Sequence, residues 1–274
     1  MGTEVDEIAD GVYRISTFFP EVAGPAGFTF NQFLIAAEEP LLFHTGMRQL
    51  FPEVSAAVAR VVPVERLRWI AFGHLEADES GAMNEFLAAA PRAQVAHGQL
   101  GCEISLRDLA DRPPRSLAHG EVLDLGDRQV SRRARHFDTP HVPHGWDSRV
   151  LFEETTRTLF CGDLFAQLGD GPAVTDDDPA DLVERCLDAE AALRQTSCLT
   201  AATSTLRLLA ELEPRTLAVM HGTSWQGDGA AALRRLALGL EERFSPEAEF
   251  AWRPSVLAAP GGTGHPQVVD AVRR

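Results

Sequence analysis

The stretch Phe72-Gly73-His74-Leu75-Glu76-Ala77-Asp78-Glu79-Ser80-Gly81 constrains this chain more than any other part of it. It continues the apolar run Leu67-Arg68-Trp69-Ile70-Ala71-Phe72, which reads as a buried strand, and leads into a helix expected over residues 81–90. Four ionisable groups therefore crowd the exit of a buried strand. Carboxylates this close repel, and raise one another's pKa, unless a cation neutralises them. In an extended or looped segment, residues at i, i+2 and i+4 share one face, which would present His74, Glu76 and Asp78 together. An imidazole among carboxylates suits a hard-to-borderline metal such as iron, manganese or zinc. A polar turn capping the helix, with Asp78 or Ser80 as N-cap, would use the same residues for a purely structural purpose.

Three further islands bear on that choice. Thr139-Pro140-His141-Val142-Pro143-His144-Gly145-Trp146-Asp147-Ser148 places two histidines on a loop between strands. Leu159-Phe160-Cys161-Gly162-Asp163-Leu164-Phe165 puts an acid at the end of an apolar strand, and Leu217-Ala218-Val219-Met220-His221-Gly222 does the same with a histidine. Each island alone has a structural reading. Loops at strand ends converge in space, however, so an ordered series of such islands points to one shared site.

The order His-x-Glu-x-Asp, then His, Asp and His, resembles the metallo-β-lactamase fold, closest to its branch of flavo-diiron and oxygen-binding di-iron proteins. Hydrolytic members of that superfamily usually carry His-x-His-x-Asp-His; here Glu76 stands at the second histidine, a mark of the di-iron branch. The run His144-Gly145-Trp146-Asp147-Ser148 resembles that branch's third ligand loop. The resemblance covers residues 10–245 and implies an α/β architecture, the αββα sandwich of two sheets between two helical layers, with metals at one edge. It implies that His74, Glu76 and His144 hold one iron, that Asp78 and His221 hold the other, and that Asp163 bridges them. Hydrolases and many di-iron relatives have histidine after the motif's Asp, where this chain has Glu79. Glu79 then has three readings: a ligand of the second metal, a ligand through water, or a group outside the ligand set. His141 competes with His144, which the local match favours, leaving His141 as a pocket group. His44 stands where relatives often have Asp and is read as supporting the site from behind, as is His136. Trp146 and Phe165 are read as pocket walls, and His97, His119 and His265 as surface or packing groups.

The rest of the sequence sets the frame. Apolar bursts at 12–15, 28–35 and 41–43, a helical pattern at 51–62, and a strand at 93–96 alternate in the first half. A meander follows at 122–125, 129–137, 148–153 and 158–161. Asp178-Pro179 opens a helix to residue 193, with further helices at 203–212 and 229–244 around a strand at 216–220. No linker divides the 274 residues, so a single domain with a tail over 246–274 is expected. With 25 Lys+Arg against 40 Asp+Glu the net charge is −15, which repels phosphate backbones and argues against nucleic acid as a partner. The one basic cluster, Arg132-Arg133-Ala134-Arg135, reads as solvated positions on a strand edge. Cys102, Cys161, Cys186 and Cys198 form no CxxC pair and read as buried thiols, although Cys186 and Cys198 lie near enough in sequence to pair. The N-terminus lacks a secretory pattern and no window is apolar enough to span a membrane, so a soluble cytoplasmic protein is expected.

Two function classes follow. The resemblance implies a di-iron protein that binds or reduces O2, with NO or peroxide as other ligands, and two iron ions as cofactor. Zinc or manganese is the alternative metal, and a homodimer is the expected assembly. The tail leaves no room for an FMN-binding module, so no flavin is expected in this chain and an external reductase would supply electrons. Without one the protein would bind or sense oxygen. The alternative class is a metal-dependent hydrolase of an ester, thioester, lactone or phosphodiester, using a metal-bound hydroxide. Glu76 and Glu79 weigh against it.

Overall fold

The computed structural model describes residues 2–126 and 131–244. Among them, fourteen strands pair into two seven-stranded sheets. In spatial order, the first sheet carries β1 (Thr3–Ala9), β2 (Val12–Phe19), β3 (Phe28–Ile35), β4 (Leu41–Phe43), β5 (Trp69–Ala71), β6 (Gln94–Gly98) and β7 (Arg115–Leu117). The second sheet runs β12 (Val174–Thr175), β14 (Ser224–Gln226), β13 (Thr216–Ala218), β11 (Thr158–Phe160), β10 (Arg149–Glu153), β9 (Arg133–Asp138) and β8 (Val122–Asp124).

Strand alternation builds the layers. In β3, Phe33 and Ile35 face the second sheet while Leu34 faces the helices; in β4, Leu41 and Phe43 face inward and Leu42 outward. Successive side chains of a strand point to opposite faces, so strands buried on both faces read as unbroken apolar runs. Phe33, Phe43, Ala71, Leu151, Phe160 and Ala218 come from both sheets and form the layer between them. On the outer face of the first sheet, Val54 and Val58 of the Phe51–Ala59 helix and Phe86 of the Met83–Ala89 helix pack on Ile70 and Phe72. On the second sheet, Leu182 and Leu187 of the Pro179–Leu193 helix, Leu206 of the Leu199–Ala210 helix, and Leu233 and Leu236 of the Gly229–Arg243 helix cover Leu159 and Leu217. The result is the αββα sandwich. Asp178 accepts from the Ala180 N–H and Asp228 from the Ala231 N–H, capping two of these helices as aspartates at N-caps do.

The topology gathers strand ends at one edge. β4, β5 and β6 are parallel, and so are β11 and β13, so their exits share a side. Backbone hydrogen bonds then stitch the two sheets together, Arg149 N donating to Gly73 O and Asn31 N to Met220 O, while Met220 N donates to Gly162 O between two exits of the second sheet. The fully buried guanidinium of Arg149 adds bonds to Phe72 O and Ala96 O, both at 2.7 Å, and to His136 Nδ1 at 2.9 Å.

Several expectations change. The helix expected over 81–90 is two pieces, Ala77–Ser80 and Met83–Ala89. Neither Asp78 nor Ser80 caps it; Glu76 is the N-cap residue, without a side-chain cap bond, and Ser80 Oγ bonds back to Glu76 O. The helix expected over 51–62 ends at Ala59. Strands β1, β7, β12 and β14 and the helical winding through 99–109 were not legible, being short or irregular. The basic cluster is not a solvated edge: β9 lies between β8 and β10, Arg132 is buried against Asp10, and Arg135 pairs with Glu154. The four cysteines are free, with Cys198 exposed rather than buried. No described helix is long and apolar enough to cross a membrane. The tail over 246–274, His265 within it, and residues 129–130 lie outside the described residues.

Candidate metal centre

The gathered edge holds six side chains that the sequence singled out. Four of them, His74, Glu76, His144 and Asp163, each offer one donor atom, and these atoms all lie within 4.8 Å of one another. His74 Nε2 is 2.8 Å from Glu76 Oε2, and His144 Nε2 is 3.2 Å from Asp163 Oδ2. On the other side of Asp163, His221 Nε2 is 3.2 Å from Oδ1 and 3.4 Å from Asp78 Oδ2. The two oxygens of one buried carboxylate therefore face two different donor sets. His74 and Glu76 leave the strand exit in irregular backbone, whereas Asp78 reaches its set from the single helical turn Ala77–Ser80. The three residues do not share one extended face; a turn of helix sends Asp78 toward His221.

Each histidine is held with Nε2 inward, because an acceptor claims its Nδ1. That acceptor is Thr29 O for His221 at 2.9 Å, Gln195 O for His144 at 3.1 Å, and Glu79 Oε1 for His74 at 3.4 Å. Fixing one ring nitrogen in this way frees the other for a cation. Phe28 stacks on the His221 ring at 4.1 Å between centroids and Phe30 meets it edge-on at 5.3 Å. The apolar wall at this position is thus supplied by β3. Trp146 is 39% exposed, and Phe165 packs in the helix-covered core with Leu164 and Val142.

Charge at the site is unbalanced in the way a cation would correct. Burial works to raise the Asp163 carboxyl, but the bonds and charges of His144, His221 and His74 hold it well below the ordinary range. Bonds from His144 and His74 bring Glu76 down to about 2 despite its partial burial. Burial pushes Asp78 up to about 6, although the His221 charge opposes this. Burial would lower His74 and His144, yet the facing carboxylates push them up to about 12 and about 10. Asp163 Oδ1, buried, has His221 Nε2 3.2 Å away but makes no well-aligned hydrogen bond among the described residues. Mixed nitrogen and carboxylate donors with a buried oxygen so placed fit iron, manganese or zinc.

The other sequence candidates separate cleanly. Glu79 is fully buried and turns under His74, accepting from the His74 N–H at 2.7 Å. His44, also fully buried, lies behind it, with Nε2 3.4 Å from Glu79 Oε1. His141 is exposed at φ 63°, and its N–H closes a turn onto Gly145 O. His136 bonds Asp138 and Arg149 rather than the candidate donors. His97, read as a surface or packing group, is fully buried and 3.3 Å from Asp147, whose Oδ2 also accepts from Leu75 N. Sequence reasoning missed Asn31, which donates to Val219 O at 2.8 Å and Gly222 O at 2.9 Å, and Arg14, which donates to Asn31 Oδ1. The only available signal was polar residues inside apolar strand runs. These positions make a direct contrast testable: His144→Ala is expected to lower metal content, measured by elemental analysis, whereas His141→Ala leaves it unchanged. The reverse result would move the donor three residues upstream.

Comparison with known proteins gives a concordant picture. The model of the ODP family beta lactamase matches residues 28–222. Rubredoxin-oxygen oxidoreductase of Megalodesulfovibrio gigas is 25% identical over 194 residues, which is 67% of this chain and 47% of that protein. Type A flavoprotein fprA of Rhodobacter capsulatus is 30% identical over 144 residues, 51% of this chain and 32% of that protein. The chain thus spans about half or less of the length of these curated relatives. Among solved structures, the rubredoxin oxygen:oxidoreductase from Desulfovibrio gigas superposes with a TM-score of 0.72 at 23% identity, covering 87% of this chain and 61% of that one. The flavodiiron protein from Giardia intestinalis gives 0.73 at 17% identity, covering 87% and 60%. These superpositions establish the shared sandwich.

Proposed function

The chain belongs to the ODP family of beta-lactamase-fold proteins, and from that premise we propose that it is a di-iron protein that binds or reduces dioxygen. The observation that carries this reading is Asp163, whose two oxygens face separate donor sets, His74, Glu76 and His144 on one side and Asp78 and His221 on the other. Two ferrous ions held there would supply the electrons that dioxygen or nitric oxide takes up on binding. The residues of the chain do the rest. Glu76, Asp78 and Asp163 contribute anionic oxygens, which favour the higher oxidation state of iron and weaken the electrophilicity that a hydrolase asks of its metal. Phe28 and Phe30 keep an apolar surface against His221 that suits a small uncharged gas. On this reading, residues 10–245 act as one metal-binding domain, and sustained turnover draws electrons from a separate reductase, as the name of the rubredoxin-oxygen oxidoreductase relative indicates for that protein.

The test is an oxygen pulse. Iron-loaded protein, reduced and kept anaerobic, is expected to show a stoichiometric change in its optical spectrum on exposure to O2, and then to stop until a reductant is added. Sustained hydrolysis of a thioester or lactone, with no spectral response to O2, would overturn the proposal.

A further inference from the structure

Glu79 is the acid that the family pattern leaves without a role, and the structure gives it one. It follows Asp78 directly, but the helical turn Ala77–Ser80 rotates neighbouring side chains by about 100°, so the two carboxylates part. Asp78 points to His221, whereas Glu79 points back under His74. There Oε2 accepts the His74 N–H at 2.7 Å and Oε1 lies 3.4 Å from both His74 Nδ1 and His44 Nε2. The backbone of the turn is fixed as well: Glu79 O accepts from Thr45 N at 2.6 Å and Thr45 Oγ1 at 3.1 Å.

The slot that holds this carboxylate is built from glycine. A Cβ on Gly73 would lie 2.9 Å from both Glu79 oxygens, and one on Gly162 would lie 3.5 Å from Oε1. Gly73 and Gly162 immediately precede His74 and Asp163, so both donor-bearing strand exits are shaped around the Glu79 head. His44 closes the far side at φ 66°, with Nδ1 3.2 Å from Asn31 O. With Oε2 on the His74 N–H and Oε1 between His74 Nδ1 and His44 Nε2, both Glu79 oxygens are directed at His74 and His44 rather than at the second donor set.

Resting on the two-metal reading, we infer that Glu79 is a positioning residue for His74 rather than a ligand, and that the two metal positions are consequently unequal. The first draws on His74, Glu76, His144 and Asp163, with His74 locked by a buried anion. The second draws, among the described residues, on Asp78, His221 and the shared Asp163. It keeps open coordination places and exchanges its ion more readily. A carboxylate behind a histidine ligand fixes the ring and raises its basicity, and removing such a partner typically costs about 10–100-fold in metal affinity.

The experiment is an anaerobic titration of metal-free protein with Co(II), followed optically and by competition with a chelator, on wild type, Glu79→Gln and His44→Asn. Wild type is expected to take up one equivalent tightly and a second more weakly. Glu79→Gln is expected to weaken the tight step by about 10–100-fold and leave the weak step where it was. His44→Asn, at a left-handed position that Asn tolerates, is expected to shift the same step in the same direction, and it serves if Glu79→Gln does not fold. Loss of the weak step in Glu79→Gln, with the tight step unchanged, would make Glu79 a ligand and overturn the proposal, as would two steps of equal affinity in wild type. Uptake of one equivalent only would instead sink the two-metal reading, while the effect of Glu79→Gln on that single step still decides what Glu79 does.

Discussion

Replacing Asp163 with Ala is expected to strip both metal positions at once. Other candidate donors serve one set each, but Asp163 lends Oδ2 to the His74 and His144 side and Oδ1 to the His221 side. The carboxylate is nearly inaccessible, and the backbone that carries it is held in place, since Gln195 Nε2 donates to the Asp163 backbone carbonyl at 3.0 Å and Ala166 N donates to the same oxygen. No other acid among the described residues is placed to reach both sides. The loss of affinity at each position should exceed the 10–100-fold, roughly, that follows from disturbing a group behind a ligand. Elemental analysis of protein purified from iron-replete medium measures it directly: wild type retains iron, and Asp163→Ala retains little. Two tightly held ions in Asp163→Ala would mean that the bridge lies elsewhere.

The second large effect is on stability. Arg149→Met is expected to lower the melting temperature by about 6–20 °C. The side chain is 1% exposed and spans the layer between the sheets, from the start of β10 to the exits of β5 and β6. Burial lowers its pKa only to about 10, so it stays charged at neutral pH. Methionine fills much of the volume but donates nothing, leaving Phe72 O, Ala96 O and His136 Nδ1 without their donor. Each buried acceptor so orphaned costs about 1–3 kcal/mol, giving roughly 3–5 kcal/mol after local relaxation. At about 2–4 °C per kcal/mol for a chain of this size, the shift follows. Arg149→Lys, which reaches fewer acceptors, should fall between wild type and Arg149→Met. A change under about 2 °C would mean that those carbonyls find other partners, and would remove Arg149 from the account of how the sheets are joined.

What the sequence revealed and what it concealed divide along a physical line. His74, Asp163 and His221 stood out because each closely follows an apolar strand run, whereas Glu76, Asp78 and His144 lie outside such runs and were singled out by the order they share with the family resemblance. The long helices were legible from period and from the Asp178-Pro179 start. The acceptors that orient the histidines were not: Thr29 O and Gln195 O are backbone carbonyls, identical in every residue type and remote in sequence. Nor could spacing alone choose among the three readings of Glu79, because its direction depends on whether 77–80 is extended or helical. The extended reading put Asp78 beside His74 and Glu76; one helical turn moved it to His221. Asn31 and Arg14 sit inside strands, and the carbonyls they bond lie in a loop 188 to 208 residues further along the chain.

The two sheets are also the two halves of the chain, since β1 to β7 precede β8 to β14 without exchange. The first half supplies His74, Glu76 and Asp78, and the second supplies His144, Asp163 and His221. Neither half can close a coordination sphere alone. On the proposed reading, the first sheet by itself offers only three of the six candidate donors, so tight binding of an ion would wait until the second sheet has docked. Metal capture would then be a late event of maturation, a report that the halves have met.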